Sequence, residues 1–337
     1  MRDSDRILLS HGEGGKKSRD LIRKVIAKRF ENPVLSPLFD SGLLGRLDGE
    51  IAFTTDGYVV TPAIFPGGDI GRLAVCGTLN DLSVCGARPV AISCSLILEE
   101  GFPVGTLETI LDSMKDAATE GNVIVACGDT KVVEKGSADG IFITTSGLGI
   151  MSDGWRPAPE NVRPGDRIIL TGTMGDHHAA VLIARKRLEF SAEILSDVAP
   201  LSSMLLDVLS VFGRSVRFMR DPTRGGVGVS LNEMAESSRA RIVLDESRLP
   251  VAEAVRGLCE ILGFDPIYLA NEGKALLIVD GNAADAVLAA LRGNQYGRDA
   301  AVIGEVMDGV PGVLMKTVIG GLRAVDYPVG DQLPRIC

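Results

Sequence analysis

The sequence predicts an α/β (α+β) fold in two domains, and three observations lead to this prediction. The chain has 337 residues, which exceeds the usual size of one hydrophobic core. Apolar residues make up 45% and charged residues 23%, an ordinary balance for a globular protein. Strand and helix patterns occur in both halves, joined by glycine-rich junctions. We therefore predict a first domain at residues 1–155, a second at 156–325 and a C-terminal tail at 326–337.

The first half opens with a glycine loop that contains Gly14 and Gly15 and leads into a helix. A glycine loop at a helix start can hold an anion, but the spacing does not fit a Walker A loop, and an exposed basic turn is the alternative. A strand from Ile51 follows and passes through Asp56. Helices are predicted at residues 70–85 and 106–120, and strands at 90–98, 122–126 and 141–150.

Three carboxylates lie at the ends of these elements or on a polar helix face, namely Asp56, Asp81 and Asp129. Magnesium prefers carboxylate oxygens together with phosphate and water, so this set favours a metal–nucleotide site over a zinc site. Each aspartate on its own is also typical of an ordinary turn or helix cap.

The second half contains two more glycine loops between strand and helix. One follows a strand at residues 168–171 and includes Asp176 before adjacent histidines, His177 and His178, which we predict to lie at an exposed helix start. The other includes Asp221, Thr223 and Arg224. Glycine turns without a ligand remain an alternative for all three loops. Helices at residues 251–262 and 283–291 and a strand at 276–279 complete this half, and Glu272 is a candidate base or a surface turn residue.

The tail ends in Cys337 and carries two prolines and a glycine, which disfavour both helix and sheet. We predict a mobile arm that can carry the thiol roughly 30 Å from its anchor, at about 3.3 Å per extended residue. Because Cys337 follows the charged Arg335 at a chain end, its thiol should be exposed and available for chemistry. The alternative is a terminal cysteine without a role.

Composition excludes several classes of function. The net charge of −9 and the lack of a basic stripe disfavour a nucleic-acid partner. No apolar run is long enough to span a membrane, and the N-terminus lacks the apolar core of a secretory signal. Six cysteines form no C-x-x-C pair, so we expect free thiols in the cytoplasm. Core packing is expected for Cys76, Cys85 and Cys94.

Taken together and in order, these motifs resemble the HypE hydrogenase maturation factors over essentially the whole chain. The terminal Pro334-Arg-Ile-Cys337 is the most specific of them. The matching segments are residues 11–15, 55–57, 80–81, 128–131, 175–177, 221–226, 271–273 and 334–337. Related families with the same architecture include aminoimidazole ribonucleotide synthetase, selenophosphate synthetase and thiamine monophosphate kinase. A selenophosphate synthetase carries a reactive Cys or Sec near its first glycine loop, whereas no cysteine precedes Cys76 here.

The resemblance implies a fold like aminoimidazole ribonucleotide synthetase, in which the N-terminal sheet completes a barrel across a homodimer. It also implies an activity: the HypF carbamoyltransferase loads Cys337, and the carboxamide is dehydrated with ATP and Mg²⁺ to a thiocyanate. The cyanide then passes to iron on the HypC and HypD complex, towards the nickel–iron centre of hydrogenase. Phosphorylation turns the amide oxygen into a competent leaving group while a base removes the nitrogen protons.

The resemblance also assigns residues to roles. Cys337 carries the carbamoyl group, Glu272 is the base, and Lys131 stabilises phosphate charge or lies on the surface. Nucleotide contacts are implied for Gly14, Gly15, Asp56, Asn80, Asp81, Asp129, Thr130, Asp176, Asp221 and Thr223, and metal contacts for Asp56, Asp81 and Asp129. His178 stands where the motif has glycine. Two alternatives remain: an ATP-gated scaffold that only presents its tail, and a small-molecule kinase of the same fold.

Overall fold

The computed structural model describes residues 6–152, 154–188, 190, 192–328 and 335–337. Thirteen strands are found in this part of the chain: β1 Ile51–Tyr58, β2 Ile64–Phe65, β3 Gly68–Asp69, β4 Ala87–Glu99, β5 Ile124–Val133, β6 Ile141–Met151, β7 Arg167–Leu170, β8 Val216–Arg220, β9 Arg241–Asp245, β10 Leu276–Val279, β11 Ala301–Met307, β12 Gly312–Lys316 and β13 Leu322–Ala324. The α-helices are α1 Lys16–Leu21, α2 Ile70–Val84, α3 Val104–Glu120, α4 Asp176–Lys186, α5 Ser202–Phe212, α6 Gly226–Ser238, α7 Glu253–Leu262 and α8 Ala284–Arg292.

The first half is built on a four-stranded sheet in the order β1-β6-β4-β5. Residues alternate between exposed and covered along β1, as expected for a strand with one face against the core. Ile51 and Phe53 are exposed on the outer face, with 51% and 67% of their surface accessible. Within the described residues the sheet stays open, and the barrel across a homodimer stays a prediction.

The other face of this sheet is covered by α2 and α3. Apolar side chains recur along α3 at helical spacing, so Leu107, Ile110, Leu111 and Met114 are all fully buried. Helix α2 is buried almost all round because it lies between the first sheet and the second half of the chain. The carboxylate of Asp69 caps this helix by accepting hydrogen bonds from the amides of Gly71 and Arg72.

The second half is built on a seven-stranded sheet in the order β13-β12-β9-β11-β7-β10-β8. The central strands β7 and β10 are almost uniformly apolar because both of their faces are covered. Ile169 and Leu277 pack with α5 and α8, while Ile168 and Leu276 pack with α6 on the opposite face. The two-domain α/β architecture is therefore confirmed, whereas the boundary at residue 156 stays a prediction.

Helix α2 is also the main connection between the halves. The side chain of Asn80 bonds to the backbone of Ala199, Leu201 and Glu272, and the indole of Trp155 donates to the carbonyl of Val216. These contacts fix the loops of the second half against the first sheet. Among the described helices none is both long and apolar enough to cross a bilayer.

Candidate functional site

The inner face of β1 brings Asp56 against Asp81 of α2. The hydroxyl of Thr54, two residues before Asp56 and so on the same face of the strand, donates to Asp81 at 2.8 Å. Burial, followed by the charge of Asp81, raises the pKa of Asp56 to about 7. One buried oxygen of Asp56, Oδ2, has no hydrogen-bond partner in the described part of the protein. These two carboxylates therefore form a site with unmet demand for a proton or a cation.

The loop after β8 adds a third carboxylate to this site. Burial, then the charge of Asp81, raises the pKa of Asp221 to about 7. The loop continues through Thr223 into Gly225 and Gly226, whose φ angles of 77° and 63° lie in the left-handed region. A Cβ on Gly226 would also meet the backbone carbonyl oxygen of Ile267 at 2.7 Å. Glycine is therefore required for this loop to enter α6.

The thiol of Cys337 and the carboxyl of Glu272 close the site. Together with the three aspartates they line a cavity of about 50 Å³. Burial raises the pKa of the Cys337 thiol to about 12, and the neighbouring Glu272 adds to the shift. Burial, then the charge of Asp221, raises the pKa of Glu272 well above its ordinary value. The thiol is thus a neutral group next to a fully buried carboxyl.

Two residues to which the sequence analysis gave no role, Tyr58 and Arg224, also line this cavity. Arg224 offsets part of the pKa shifts of the surrounding acids, and Tyr58 lies against Gly77 of α2, where a Cβ would collide with the phenol. The strand pattern held a signal for Tyr58, because it lies two residues after Asp56 and on the same face. Arg224 lies in the glycine loop that the sequence analysis identified after Asp221. The direction of its side chain could not be predicted from the loop sequence.

A buried ion pair holds the Glu272 loop in place. The carboxylate of Asp197 accepts the amide hydrogen of Glu272 at 3.1 Å and pairs with Lys274 at 3.0 Å. Burial alone would raise the pKa of Asp197, but Lys274, His177 and the Glu272 amide outweigh it and leave the pKa below its ordinary value. The side chain of Asn80 is engaged with backbone groups of the same region. Asn80 therefore positions this loop in the structure, and its contact with a nucleotide stays a prediction.

We expect Asp197→Asn to lower the free energy of unfolding by about 3 kcal/mol at neutral pH, because Lys274 would become a buried cation without a counter-charge. Since the pKa of Asp197 is depressed in the folded state, its stabilisation is complete above about pH 4 and is lost as the pH falls below that value. Urea denaturation at pH 7 and at pH 3 measures both effects.

The matched control is Asp265→Asn, which breaks the pair with Arg323 that is about one-third exposed on each side. We expect a change of less than about 1 kcal/mol for this surface pair. Equal destabilisation by the two variants would contradict the role given to Asp197.

Three other predicted site residues lie together at the far edge of the first sheet. Asp129, Thr130 and Lys131 are on β5. Asp129 pairs with Lys131 at 2.8 Å, which lowers the pKa of Asp129. Strand register aligns Asp129 with Gly57 across β4 and β6, which is three strand spacings or roughly 14 Å. Within one protomer the structure does not bring Asp129 to Asp56 and Asp81, so the predicted metal trio is divided.

Asp129 and Thr130 border a separate cavity of about 110 Å³ that is mostly apolar. Its other walls come from β4, β5 and the helical segment after α1, including Ile22, Phe30 and Leu96. Gly14 donates its amide hydrogen to the hydroxyl of Ser18 at 3.0 Å, and Gly15 is the N-cap residue of α1.

Asp176 occupies the first position of α4, where its carboxylate accepts a hydrogen bond from Thr173. Burial raises the pKa of Asp176, and its nearest charged neighbours are Asp197 and Lys274. It does not line the cavity of Cys337. Among the described residues no group of three or more His, Cys, Asp or Glu side chains is already arranged around a metal position.

The end of the chain is docked rather than exposed. Ile336 is only 4% exposed, and the thiol of Cys337 is largely buried. The prediction of an exposed Cys337 is therefore wrong for this conformation, because Ile336 packs into the core of the first half. Residues 329–334, on which the prediction of a mobile arm mainly rests, lie outside the described residues.

The prediction of an exposed histidine pair is also wrong. His177 is fully buried beneath the docked tail, and His178 is 5% exposed and packs against Phe264. Burial lowers the pKa of both rings, that of His178 to about 4. Cys85 is another correction: it lies at the exposed end of α2, whereas Cys76 and Cys94 are buried as predicted.

Comparison with known proteins places this arrangement among characterised relatives. Residues 40–151 match the N-terminal domain model of AIR synthase related proteins, and residues 163–316 match the C-terminal domain model. The chain is 47% identical over 333 residues to "Carbamoyl dehydratase HypE" of Rhizobium leguminosarum bv. viciae, covering 98% of this chain and 95% of the relative.

Solved structures of HypE proteins are also similar to this chain. The structure superimposes with a TM-score of 0.94 on a crystal structure of the hydrogenase maturation protein HypE in complex with ATP, at 43% identity and with 98% of this chain and 99% of that chain covered. A crystal structure of a HypE–HypF complex matches with a TM-score of 0.80 and 45% identity, covering 91% and 99% of the two chains.

Proposed function

The chain belongs to the HypE family of carbamoyl dehydratases, within the AIR synthase related proteins, and we propose that its substrate is an S-carboxamide on its own Cys337. The observation that carries the proposal is the placement of the largely buried terminal thiol in a small acidic cavity beside Glu272. A tail that only bound partner proteins would not need its terminal thiol in a cavity lined by carboxylates. The enzyme would convert this carboxamide into a thiocyanate with ATP.

The chemistry explains the residue types around the thiol. Hydroxide is a poor leaving group, so transfer of a phosphoryl group from ATP to the carboxamide oxygen makes departure possible. The carboxamide nitrogen must also lose two protons before a carbon–nitrogen triple bond can form. Glu272 is the proposed base because its carboxyl adjoins the sulfur that carries the group. Arg224, in the same cavity, would stabilise the developing negative charge.

The acidic cavity fits magnesium. Asp56 has an unpartnered buried oxygen, and Asp56 and Asp221 both have a pKa near 7, so an added cation would stabilise their charged forms. We propose that these two residues and Asp81 hold the ion. Magnesium supplies charge neutralisation and orientation of the phosphates when it is bound. Asp129, predicted to join this set, would serve the nucleotide from the separate cavity on β5.

We expect Asp81→Asn to raise the magnesium concentration needed for half-maximal dehydration by more than about tenfold, since one of three anionic ligands is lost. The measurement is a magnesium titration of product formation at saturating ATP. The matched control is Asp116→Asn, an exposed aspartate on α3. An unchanged magnesium requirement in the Asp81 variant would remove this residue from the metal site.

We propose that ATP places its base in the apolar cavity on β5, beside Asp129 and Thr130, with the glycine loop at Gly14 and Gly15 towards its phosphates. Support comes from the ATP complex of a HypE protein that superimposes closely on this chain. Lys131 is held by Asp129 in the structure and would be released to phosphate when nucleotide binds. Both remain proposals about the nucleotide-bound state.

We also propose a homodimer joined through the first sheet. Its outer face exposes two large apolar side chains of β1, Ile51 and Phe53, at 51% and 67% of their surface. Symmetric pairing of this face across two copies would bury them and close the open sheet into a barrel.

The proposed partners follow from the chemistry at Cys337. HypF, which forms a complex with a HypE protein of similar structure, would supply the carbamoyl group. The HypC and HypD complex would accept the cyanide for the iron of nickel–iron hydrogenase. The tail must leave its cavity for both exchanges. The cytoplasm is the proposed compartment, because a reducing environment keeps the thiol free.

The decisive experiment is mass analysis of the C-terminal peptide after carbamoylated protein is incubated with magnesium and ATP. Loss of one water from the peptide is expected for a dehydratase. A scaffold that only presents its tail would leave the carbamoyl mass unchanged.

A small-molecule kinase of the same fold would keep its ATP turnover with substrate after Cys337→Ser, whereas the proposed enzyme would lose product formation entirely.

A further inference from the structure

A groove around the last three residues binds each of their backbone carbonyl groups. The carbonyl of Arg335 accepts from the amide of Thr61 at 3.3 Å and from Arg185. The carbonyl of Ile336 accepts from Nε2 of His177 at 2.7 Å, and a carboxylate oxygen of Cys337 accepts from the amide of Val59 at 3.2 Å. Residues 59–61 thus pair with the tail as a short antiparallel strand would.

The surroundings of His177 fix it as a hydrogen-bond donor. A carbonyl oxygen can only accept, so the Ile336 carbonyl requires the hydrogen of the neutral His177 ring on Nε2. Nδ1 then accepts from the hydroxyl of Ser196 at 2.8 Å, and the oxygen of that hydroxyl accepts the amide hydrogen of Val198 at 3.2 Å. Phe65 packs edge-on against the ring with centroids 5.3 Å apart. The contacts with Ser196 and Phe65 do not involve the tail, so they hold the ring in this orientation by themselves.

Two side chains add selectivity to these backbone contacts. Ile336 is buried in the core cluster of the first half, and Arg335 pairs with Asp139. A basic residue followed by an aliphatic residue and a terminal cysteine therefore satisfies the groove. A peptide that ends in these three residues would therefore present the same backbone and side-chain groups to the groove.

We propose that this groove is a general binding site for a free C-terminal peptide of the type basic–aliphatic–cysteine, that it accepts such a peptide in trans, and that His177 is the residue that positions it. The proposal rests on the proposed function, because the peptide in trans would undergo the same reaction as the tail. The carboxamide would transfer its oxygen to a phosphoryl group from ATP, lose both nitrogen protons and release phosphate. The peptide would keep its sulfur–carbon bond and lose the mass of one water.

The test uses the full-length chain with its own tail disabled by Ile336→Asp and Cys337→Ala. The probe is a peptide of the sequence Leu-Pro-Arg-Ile-Cys, S-carbamoylated and with a free carboxylate, incubated with magnesium and ATP. We expect ATP-dependent loss of one water from the peptide, read by mass spectrometry. The same peptide with aspartate in place of isoleucine is the control, and it should not react.

The role of His177 is tested in the same assay. We expect His177→Phe to raise KM for the peptide by about tenfold or more with little change in kcat, because a buried carbonyl would lose its donor. His177→Gln should restore part of the affinity, since its amide can donate to the same oxygen. A merely structural role would show as a lower melting temperature and no such split between KM and kcat.

The outcomes separate the two proposals. If wild-type protein fails to dehydrate its own carbamoylated tail, the proposed function is wrong. If the wild-type tail reacts but the free peptide neither binds nor reacts at millimolar concentration, the inference about the groove is overturned. Reaction of the peptide with equal KM in wild-type and His177→Phe backgrounds would remove His177 from the positioning role.

Discussion

Glu272→Gln is expected to slow dehydration by about 10²- to 10⁴-fold, the range associated with loss of a general base. The substituted amide keeps the size of the side chain and the backbone bonds from Asp197 and Asn80. It cannot accept a proton from the carboxamide nitrogen. Loading of Cys337 by the proposed partner HypF should continue, since in the proposed cycle that step takes place with the tail outside the cavity. Carbamoylated protein should therefore accumulate, and its mass shows this directly.

The pH dependence of the dehydration rate is a second and independent test of the role of Glu272. A base acts only in its deprotonated form, so the rate of the wild-type enzyme should rise as the pH rises through the pKa of Glu272. Burial places that pKa well above the ordinary value for glutamate. The rise should therefore occur at higher pH than an exposed carboxylate would give. The residual activity of Glu272→Gln should lack this rise.

The matched control for this experiment is Glu253→Gln, an exposed glutamate at the start of α7. It should leave both the rate and its pH profile unchanged. If Glu272→Gln keeps more than about a tenth of the wild-type rate, another group removes the proton and the assignment of Glu272 fails.

The local parts of this site could be predicted from the sequence, and the reason is geometric. Strand alternation around Asp56 and the polar face of the helix with Asp81 are short-range patterns that fix which side each residue faces. The distance between Asp56 and Asp129 is not local, because it depends on the strand order that places β5 at the opposite edge of the sheet from β1. Residue type alone therefore predicted one site for three aspartates, whereas within one protomer Asp129 lies away from Asp56 and Asp81.

The corrections at His177 and Cys337 have a common physical cause. Polar residues at a helix start and at a chain end are exposed in most proteins, so each prediction followed the usual pattern. In this protein the start of α4 and the end of the tail cover each other. The His177 ring is buried because the carbonyl of Ile336, 159 residues later in the chain, is hydrogen-bonded to it. A contact of that sequence separation leaves no local periodicity. Only the apolar side chain of the adjacent Ile336 held a signal for docking.

Ile336→Asp is expected to displace the tail, expose the Cys337 thiol and slow dehydration by at least about a hundredfold. Full burial of an isoleucine is worth roughly 1.5–3 kcal/mol, and each 1.4 kcal/mol is a tenfold change in the docking equilibrium. An unpaired carboxylate in the same position adds a further desolvation cost. Loading by HypF should be unaffected, because the proposed loading step does not use the docked tail. The readouts are the mass of the C-terminal peptide and its rate of alkylation by iodoacetamide.

The matched control for this variant is Ile319→Asp, since Ile319 is 92% exposed and its substitution should change neither measurement. Cys85, exposed at the end of α2, provides an internal reference for alkylation in every sample. Faster alkylation of Cys337 together with wild-type dehydration would mean that a docked tail is not required for chemistry. Slow dehydration with unchanged alkylation would mean that Ile336 acts on the cavity rather than on docking. In the proposed cycle Cys337 is loaded outside the cavity and dehydrated inside it. That cycle predicts both fast alkylation and slow dehydration for the Ile336 variant.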